Sequence, residues 1–290
     1  MSAGRAIGAE GETTASHPDV GISARRTDVC TLASVRRVAA MFDLDSDGLA
    51  PGSPLPRGWH FFLLGGETRR SALRADGFPG FGVPMPDVGL PRLMLGGRTV
   101  TYDGDLAIGA TIETRSRVES IARKQSAAGE MAIVTIRHEI GPVDRLTPAI
   151  TEQQTYIMLG RAPSGGTTGR PLERAAGARS KVIVPDDTLL FQYSALGFNS
   201  HRIHLDRDYA RGVEGLPDLV VNGGLTTLLA TEFLRRDLGL VPDQIRTRHT
   251  AALYCGRAMT LTAEEGDGHW TLRVLDHAGV LAVDMEASVR

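Results

Sequence analysis

From Ala110 to Gly160 the chain reads "ATIETRSRVESIARKQSAAGEMAIVTIRHEIGPVDRLTPAITEQQTYIMLG". Three segments here set β-branched residues among polar ones, the pattern of half-buried strands. The breaks "SAAG" and "GPVDRLTPA" are too short to hold the crossover helix that a parallel pair needs. The strands must therefore pair antiparallel, and no other feature limits the fold more. A second set closes the chain, "TRHTAALYCGRAMTLTAE", "HWTLRVLDHAG" and "VLAVDMEASV", parted by "EEGDG" and "HAG". Each set follows a helical segment. In "TLASVRRVAAMFDLD" Leu32, Val35, Val38, Ala39 and Phe42 recur at helical spacing. In "EGLPDLVVNGGLTTLLATEFLRRDLG" Leu225, Leu228, Leu229, Ala230, Phe233 and Leu234 do the same, with Gly239 just beyond as a stop. Helix-then-strands, twice, is an α+β order.

The two halves are alike in kind but not in residues, which suggests a duplicated unit. Residues 1–27 are rich in Gly, Ala, Ser, Thr and Glu and read as a flexible tail. Residues 28–160 form the first domain. The stretch "GRAPSGGTTGRPLERAAGARS" makes 161–180 a linker, and 181–290 the second domain. Two Gly- and Pro-rich stretches, "GLAPGSPLPRGWHFF" and "ADGFPGFGVPMPDVGLPRLMLGG", read as loops; the aromatic residues in the second argue that it is packed.

The net charge of −2 and a pI near 6.5 give no basic field for nucleic acid or an anionic membrane. No apolar run approaches the roughly 20 residues of a membrane span. The start lacks the apolar centre of a signal peptide. Cys30 and Cys255 match no metal spacing and no disulfide framework, so a reducing cytoplasm is the expected setting. Assembly is left open, with room for a homodimer.

Chemistry concentrates in "ALGFNSHRIHLDRDYARG". Asn199, His201, His204 and Asp206 stand at alternating or near-alternating positions, so an extended or turning segment brings them to one face. An imidazole with an amide or carboxylate neighbour can shuttle protons near pH 7. The competing reading is a polar surface turn. His201 and His204 are two ligands without a third, so no metal is expected. In "VVNGGLTTLLA", Asn222, Gly223 and Gly224 open a helix. Its first turn leaves N–H groups free, its dipole favours negative charge, and the two glycines would let a ligand come close. A plain Asn cap is the simpler alternative.

Together "FNSHRIHLDRDYA" and "LVVNGGLTTLLATEFLRR" resemble the signature of MaoC-like enoyl-CoA hydratases and 3-hydroxyacyl-thioester dehydratases. The likeness is closer to the mesaconyl-CoA and itaconyl-CoA hydratases and the mitochondrial-type 3-hydroxyacyl-thioester dehydratases, which carry an "NxHRIHxD" string. "PGSPLPRGWHFFLL", "ADGFP", "GLPRLM" and "MAIVTIRHEI" occur in the same order, so the resemblance runs from about residue 28 to the end. It implies a double hot-dog fold, two curved antiparallel sheets each wrapped around a long helix. It also implies addition or removal of water at an acyl thioester of CoA or a carrier protein, with no metal or redox cofactor. His204 falls at the family's catalytic His, Asn199 where the broader family has Asp, His201 where it has Asn, and Gly223 at the glycine whose amide would hold the thioester carbonyl. Asn222 and Gly224 depart from the usual His-Gly-Pro or His-Gly-Met, so an imidazole that would line the pocket is missing from this position. Arg202, Arg207 and Lys124 are candidates for the phosphates of CoA, Asp206 for a further substrate contact, and Arg92 for a free carboxylate on the acyl group. A thioesterase, and a non-hydrating binder, isomerase or cyclase, are the alternative readings.

Overall fold

The computed structural model describes residues 17–126, 129–160, 171–172 and 178–289. Among these residues ten strands build one continuous antiparallel sheet. The first half supplies β1 (Ser23–Val29), β2 (Arg92–Tyr102), β3 (Thr111–Ser126), β4 (Gly129–Pro142) and β5 (Ile150–Leu159). The second supplies β6 (Arg179–Ile183), β7 (Pro242–His249), β8 (Met259–Glu265), β9 (Trp270–Leu275) and β10 (Leu281–Val289). The spatial order is β1-β3-β4-β5-β2-β7-β10-β9-β8-β6. Read outward from the centre, the two halves have the same order, as a duplicated unit requires. Their seam is the β2–β7 pair, running in register from Gly97 opposite Arg248 to Thr101 opposite Gln244.

Among the described residues four α-helices accompany the sheet: α1 (Leu32–Met41), α2 (Asp187–Leu196), α3 (Arg207–Gly212) and α4 (Gly223–Glu232). Thr31 caps α1 by accepting from the Ser34 N–H at 3.1 Å. The central helix α4 is apolar nearly all round, and Gly224 through Glu232 are all buried, which is the mark of a helix enclosed by its surroundings. A π turn at Phe233–Asp237 continues it, and Gly239 follows at φ +70°.

The helix expected in the first half at 31–45 is α1, ending at Met41. Between it and β2, where the second half has α4 before β7, stands a 3-10 turn, Trp59–Leu63. Gly58, at φ +94°, and the pair Gly65-Gly66 bracket too few residues for a longer helix. That turn serves α4 instead: the Trp59 Nε1–H donates to Glu232 Oε1 at 2.8 Å.

Other expectations need adjusting. β1 begins at Ser23, inside the stretch read as tail; residues 1–16 of that tail lie outside the described residues. β6 begins at Arg179, inside the expected linker, most of which also lies outside them. The segment from Thr247 to Glu264, read as one strand, is the end of β7, a loop turning at Gly256 (φ +73°), and β8. β2 starts at Arg92, within the second Gly- and Pro-rich stretch. Among the described residues no helix is long and apolar enough to cross a membrane.

Candidate active site

α2 ends at Leu196, and the polar segment follows as a tight loop. The Asn199 Oδ1 accepts from the His201 N–H at 3.0 Å, a side chain bonding the backbone two residues on. A 3-10 turn at Arg202–His204 comes next, and Asp206 caps α3 by accepting from the Tyr209 N–H at 3.0 Å. The first half clamps this loop through "ADGFP". The Asp76 carbonyl accepts from the Arg202 N–H at 2.8 Å, and the Ser200 hydroxyl donates to the Gly77 carbonyl at 2.7 Å. Gly77 sits at φ +77°, where a Cβ would run into the Ser200 carbonyl. The loop therefore depends on both halves for its shape.

A cleft opens between this loop and the seam. Asn199, His201 and His204 line it together with Asn222, Gly223 and Gly224, so the two sequence clusters converge. His204 is buried, and its Nδ1 lies 2.8 Å from the Val220 carbonyl. A carbonyl only accepts, so Nδ1 carries the hydrogen and Nε2 keeps its lone pair. Burial first, and the neighbouring His201 second, push the His204 pKa down to about 3, against the pull of the Val220 carbonyl. His201 stands edge-on to His204 with ring centres 5.4 Å apart and packs on Phe78. Burial lowers its pKa to about 4, although Asp76 Oδ2 lies 3.7 Å from its Nε2. Both rings are thus neutral at pH 7.

Neutral buried imidazoles make stability depend on pH. Burial also lowers His138 to about 4 and His249 to about 3. In the unfolded chain these rings titrate near 6.5. Between that value and about 4 the unfolded chain binds more protons than the folded one, so stability falls as pH falls. The urea midpoint is expected to drop steadily from pH 7.5 to pH 5; a constant midpoint over that window would contradict the burial of these rings.

At the first turn of α4 the arrangement is less simple than a bare glycine cradle. Asn222 occupies the cap position without a side-chain cap bond. Its Nδ2 reaches Ser194 Oγ at 3.3 Å, while its buried Oδ1 has no partner. The space beside Gly224 belongs to protein: a Cβ there would run into the Tyr193 hydroxyl and come within 3.3 Å of an Arg98 guanidinium nitrogen. Gly223 is the more open of the two, facing Leu95 and the His249 ring, whose Cε1 lies 3.2 Å from where a Cβ would stand. An imidazole, that of His249 at the end of β7, therefore stands beside Gly223, and its Nε2 is buried without a partner.

Arg98, Tyr156, Tyr193 and His249 line the cleft and escaped the sequence reading. Arg98 lies on the seam, opposite Gln154 on one side and Thr247 on the other. Its Nε stands 2.9 Å from Glu152 Oε1. Glu152, fully buried, also accepts from His60 Nε2 at 2.7 Å. Burial works to raise the Glu152 pKa, but Arg98 and His60 outweigh it and hold it at about 2.

The remaining sequence candidates stand outside the cleft lining. Arg202 pairs with Asp206 at 2.8 Å on the surface. Arg207 pairs with Asp187 and Asp218 at 2.6 and 2.8 Å. Arg92 is held by Glu214 at 3.1 Å. Lys124 is exposed on β3. Among the described residues no group of three or more His, Cys, Asp or Glu side chains is placed to hold a metal ion.

Comparison with known proteins gives this site a context. The family model described as hydroxyacyl-thioester dehydratase type 2 matches residues 58–255. Mesaconyl-C(4)-CoA hydratase of Chloroflexus aurantiacus is 35% identical over 209 residues, 72% of this chain and 74% of the relative. The mitochondrial hydroxyacyl-thioester dehydratase type 2 of Saccharomyces cerevisiae is 27% identical over 105 residues, 36% of this chain and 38% of that one. Among solved structures, a MaoC-like dehydratase from Phytophthora capsici superposes with a TM-score of 0.67 at 14% identity, covering 93% of this chain and 96% of that one. A Mycobacterium tuberculosis protein described as having a double hotdog fold gives 0.61 at 16% identity, covering 93% and 96%. The second likeness shows the double hot-dog architecture expected from the sequence.

Proposed function

The chain belongs to the hydroxyacyl-thioester dehydratase type 2 family, and from that premise we propose that it adds or removes water across the α,β double bond of a short acyl thioester in this cleft. The observation that carries the reading is the pairing of two groups on one cavity: a buried imidazole with its lone pair at Nε2, and the N-terminus of α4. In the hydration direction His204 Nε2 takes a proton from water as the water oxygen bonds to Cβ. Electrons move through Cα to the thioester oxygen, which takes enolate character. The Gly223 amide, helped by the helix dipole, holds that oxygen. The imidazolium then returns its proton to Cα, so water is consumed and the base regenerated. Asn199 shapes the turn that presents His204, and burial, with His201 packed beside it, keeps the His204 ring neutral. No step needs a metal or redox cofactor.

A non-hydrating role draws on the lack of an imidazole at position 222, and His249 weakens it by bringing one to Gly223 from another strand. The carrier is CoA or an acyl carrier protein. A reducing cytoplasm is part of the same reading, supported by two buried, free cysteines.

The test is incubation with crotonyl-CoA and mesaconyl-C4-CoA while following the conjugated enoyl-thioester absorbance. Loss of absorbance without free thiol is the expected result. Thiol release would replace this reading with a thioesterase, and unchanged absorbance with both substrates would overturn it.

A further inference from the structure

Tyr193 lies on α2 and lines the cleft, yet the hydration steps leave its hydroxyl unused. Its ring is stacked on Phe61, with ring centres 4.5 Å apart and planes at 17°. The hydroxyl reaches the first turn of α4. A Cβ on Gly224 would run into the hydroxyl oxygen, so this glycine is where the phenol meets the helix. Arg98 hydrogen-bonds the same oxygen, and a guanidinium only donates. The Tyr193 oxygen therefore accepts from Arg98, and its own hydrogen is left to point elsewhere. Two acceptors in the cleft lining, Asn222 Oδ1 and His249 Nε2, are buried without a partner, so neither takes that hydrogen. The proton is firmly held: burial raises the Tyr193 pKa to about 12, with Arg98 pulling against it.

Resting on the hydratase reading, we infer that the Tyr193 hydroxyl is a second donor to the thioester oxygen, acting beside the Gly223 amide. The position suits the task in three ways. A neutral hydroxyl meets a carbonyl oxygen without burying another charge, and holds it harder as enolate charge develops there. A phenol stacked at its ring and bonded at its oxygen is oriented before substrate arrives, so little freedom is lost on binding. Arg98, paired with Glu152 at 2.9 Å, polarises the O–H through the hydrogen bond it donates. The proton stays on Tyr193 throughout, and delivery to Cα remains with the His204 imidazolium.

The test reads the carbonyl directly. Butyryl-CoA, isotopically labelled at the thioester carbonyl, cannot be hydrated, and its C=O stretch in difference infrared spectra falls as the oxygen accepts hydrogen bonds. Two variants take the hydroxyl out of its place. Tyr193→Phe keeps the stacked ring and loses only the oxygen; Gly224→Ala keeps the phenol and displaces it. The native protein is expected to hold the bound carbonyl well below its frequency in water, and each folded variant should let it return part of the way. Tyr193→Phe should lower kcat, on whichever enoyl thioester the native protein hydrates, by about a hundredfold to a thousandfold. Its affinity for butyryl-CoA should fall by only about tenfold or less, the range of one neutral hydrogen bond. A native carbonyl no lower than in water overturns the inference, whether or not a variant folds, and so does failure to bind butyryl-CoA. The same carbonyl frequency in Tyr193→Phe and the native protein overturns it too, and leaves Tyr193 a packing residue. Hydration of crotonyl-CoA and mesaconyl-C4-CoA by the native protein, assayed separately, reports on the underlying reading. Turnover with an unmoved carbonyl in Tyr193→Phe keeps the hydratase and removes the second donor; a moved carbonyl without native turnover keeps the contact and removes the hydratase.

Discussion

Replacing His204 with alanine is expected to lower kcat by about a hundredfold to ten-thousandfold, the contribution of a positioned acid–base group. The reasons are local. His204 is the ring whose tautomer is fixed, by the Val220 carbonyl at 2.8 Å, and which presents a free lone pair to the cleft. Alanine removes the base and leaves the carbonyl without its donor, a modest structural cost beside the catalytic one. His204→Gln is the control, since it can keep a donor near Val220 without acting as a base. Both variants should give native circular dichroism and both should be slow. Turnover near normal in either one, on whichever enoyl thioester the native protein hydrates, would remove His204 from the mechanism.

The second large effect is expected at Gly223. It is the first residue of α4, where proline is at home because its absent N–H has no partner within the helix. The residue before it, Asn222, has φ −55° and ψ 130°, a conformation that tolerates a following proline. Gly223→Pro therefore deletes one amide while keeping the helix. If that amide holds the thioester oxygen, kcat should fall about a hundredfold to a thousandfold. A side chain at this position also crowds Leu95 and His249, at 3.1 and 3.2 Å from the new Cβ. Gly223→Ala measures that crowding with the N–H in place. Equal losses in the two variants would mean that space, not the amide, is what the glycine supplies.

How legible all this was depended on whether neighbours in space were neighbours in sequence. Asn199, His201 and His204 could be read because one short loop carries them. The buried helix α4 announced itself through its apolar spacing and its Asn-Gly-Gly start. Arg98 and His249 could not be read, because what brings them to the cleft is a pairing between strands from different halves. The register shift between Leu95 and Gly97 made matters harder. It breaks the simple alternation, so that Leu95 and Arg98, three residues apart, both reach the cleft. β1 was missed because its row is mostly exposed and polar, an edge strand that buries little. The "ADGFP" string was noticed by resemblance, but its work, gripping the loop of the other half through Gly77 and Asp76, needs the fold to be seen.

The seam between β2 and β7 has an evolutionary consequence. In a chain that repeats one unit, each copy could in principle be lost, swapped or fused elsewhere as a module. Here the guanidinium comes from β2, the nearby imidazole from β7, and the loop bearing His204 is shaped by backbone from the first half. Neither copy owns a working set. A cleft lined from both copies makes the join itself, rather than either copy, the unit on which the proposed chemistry depends.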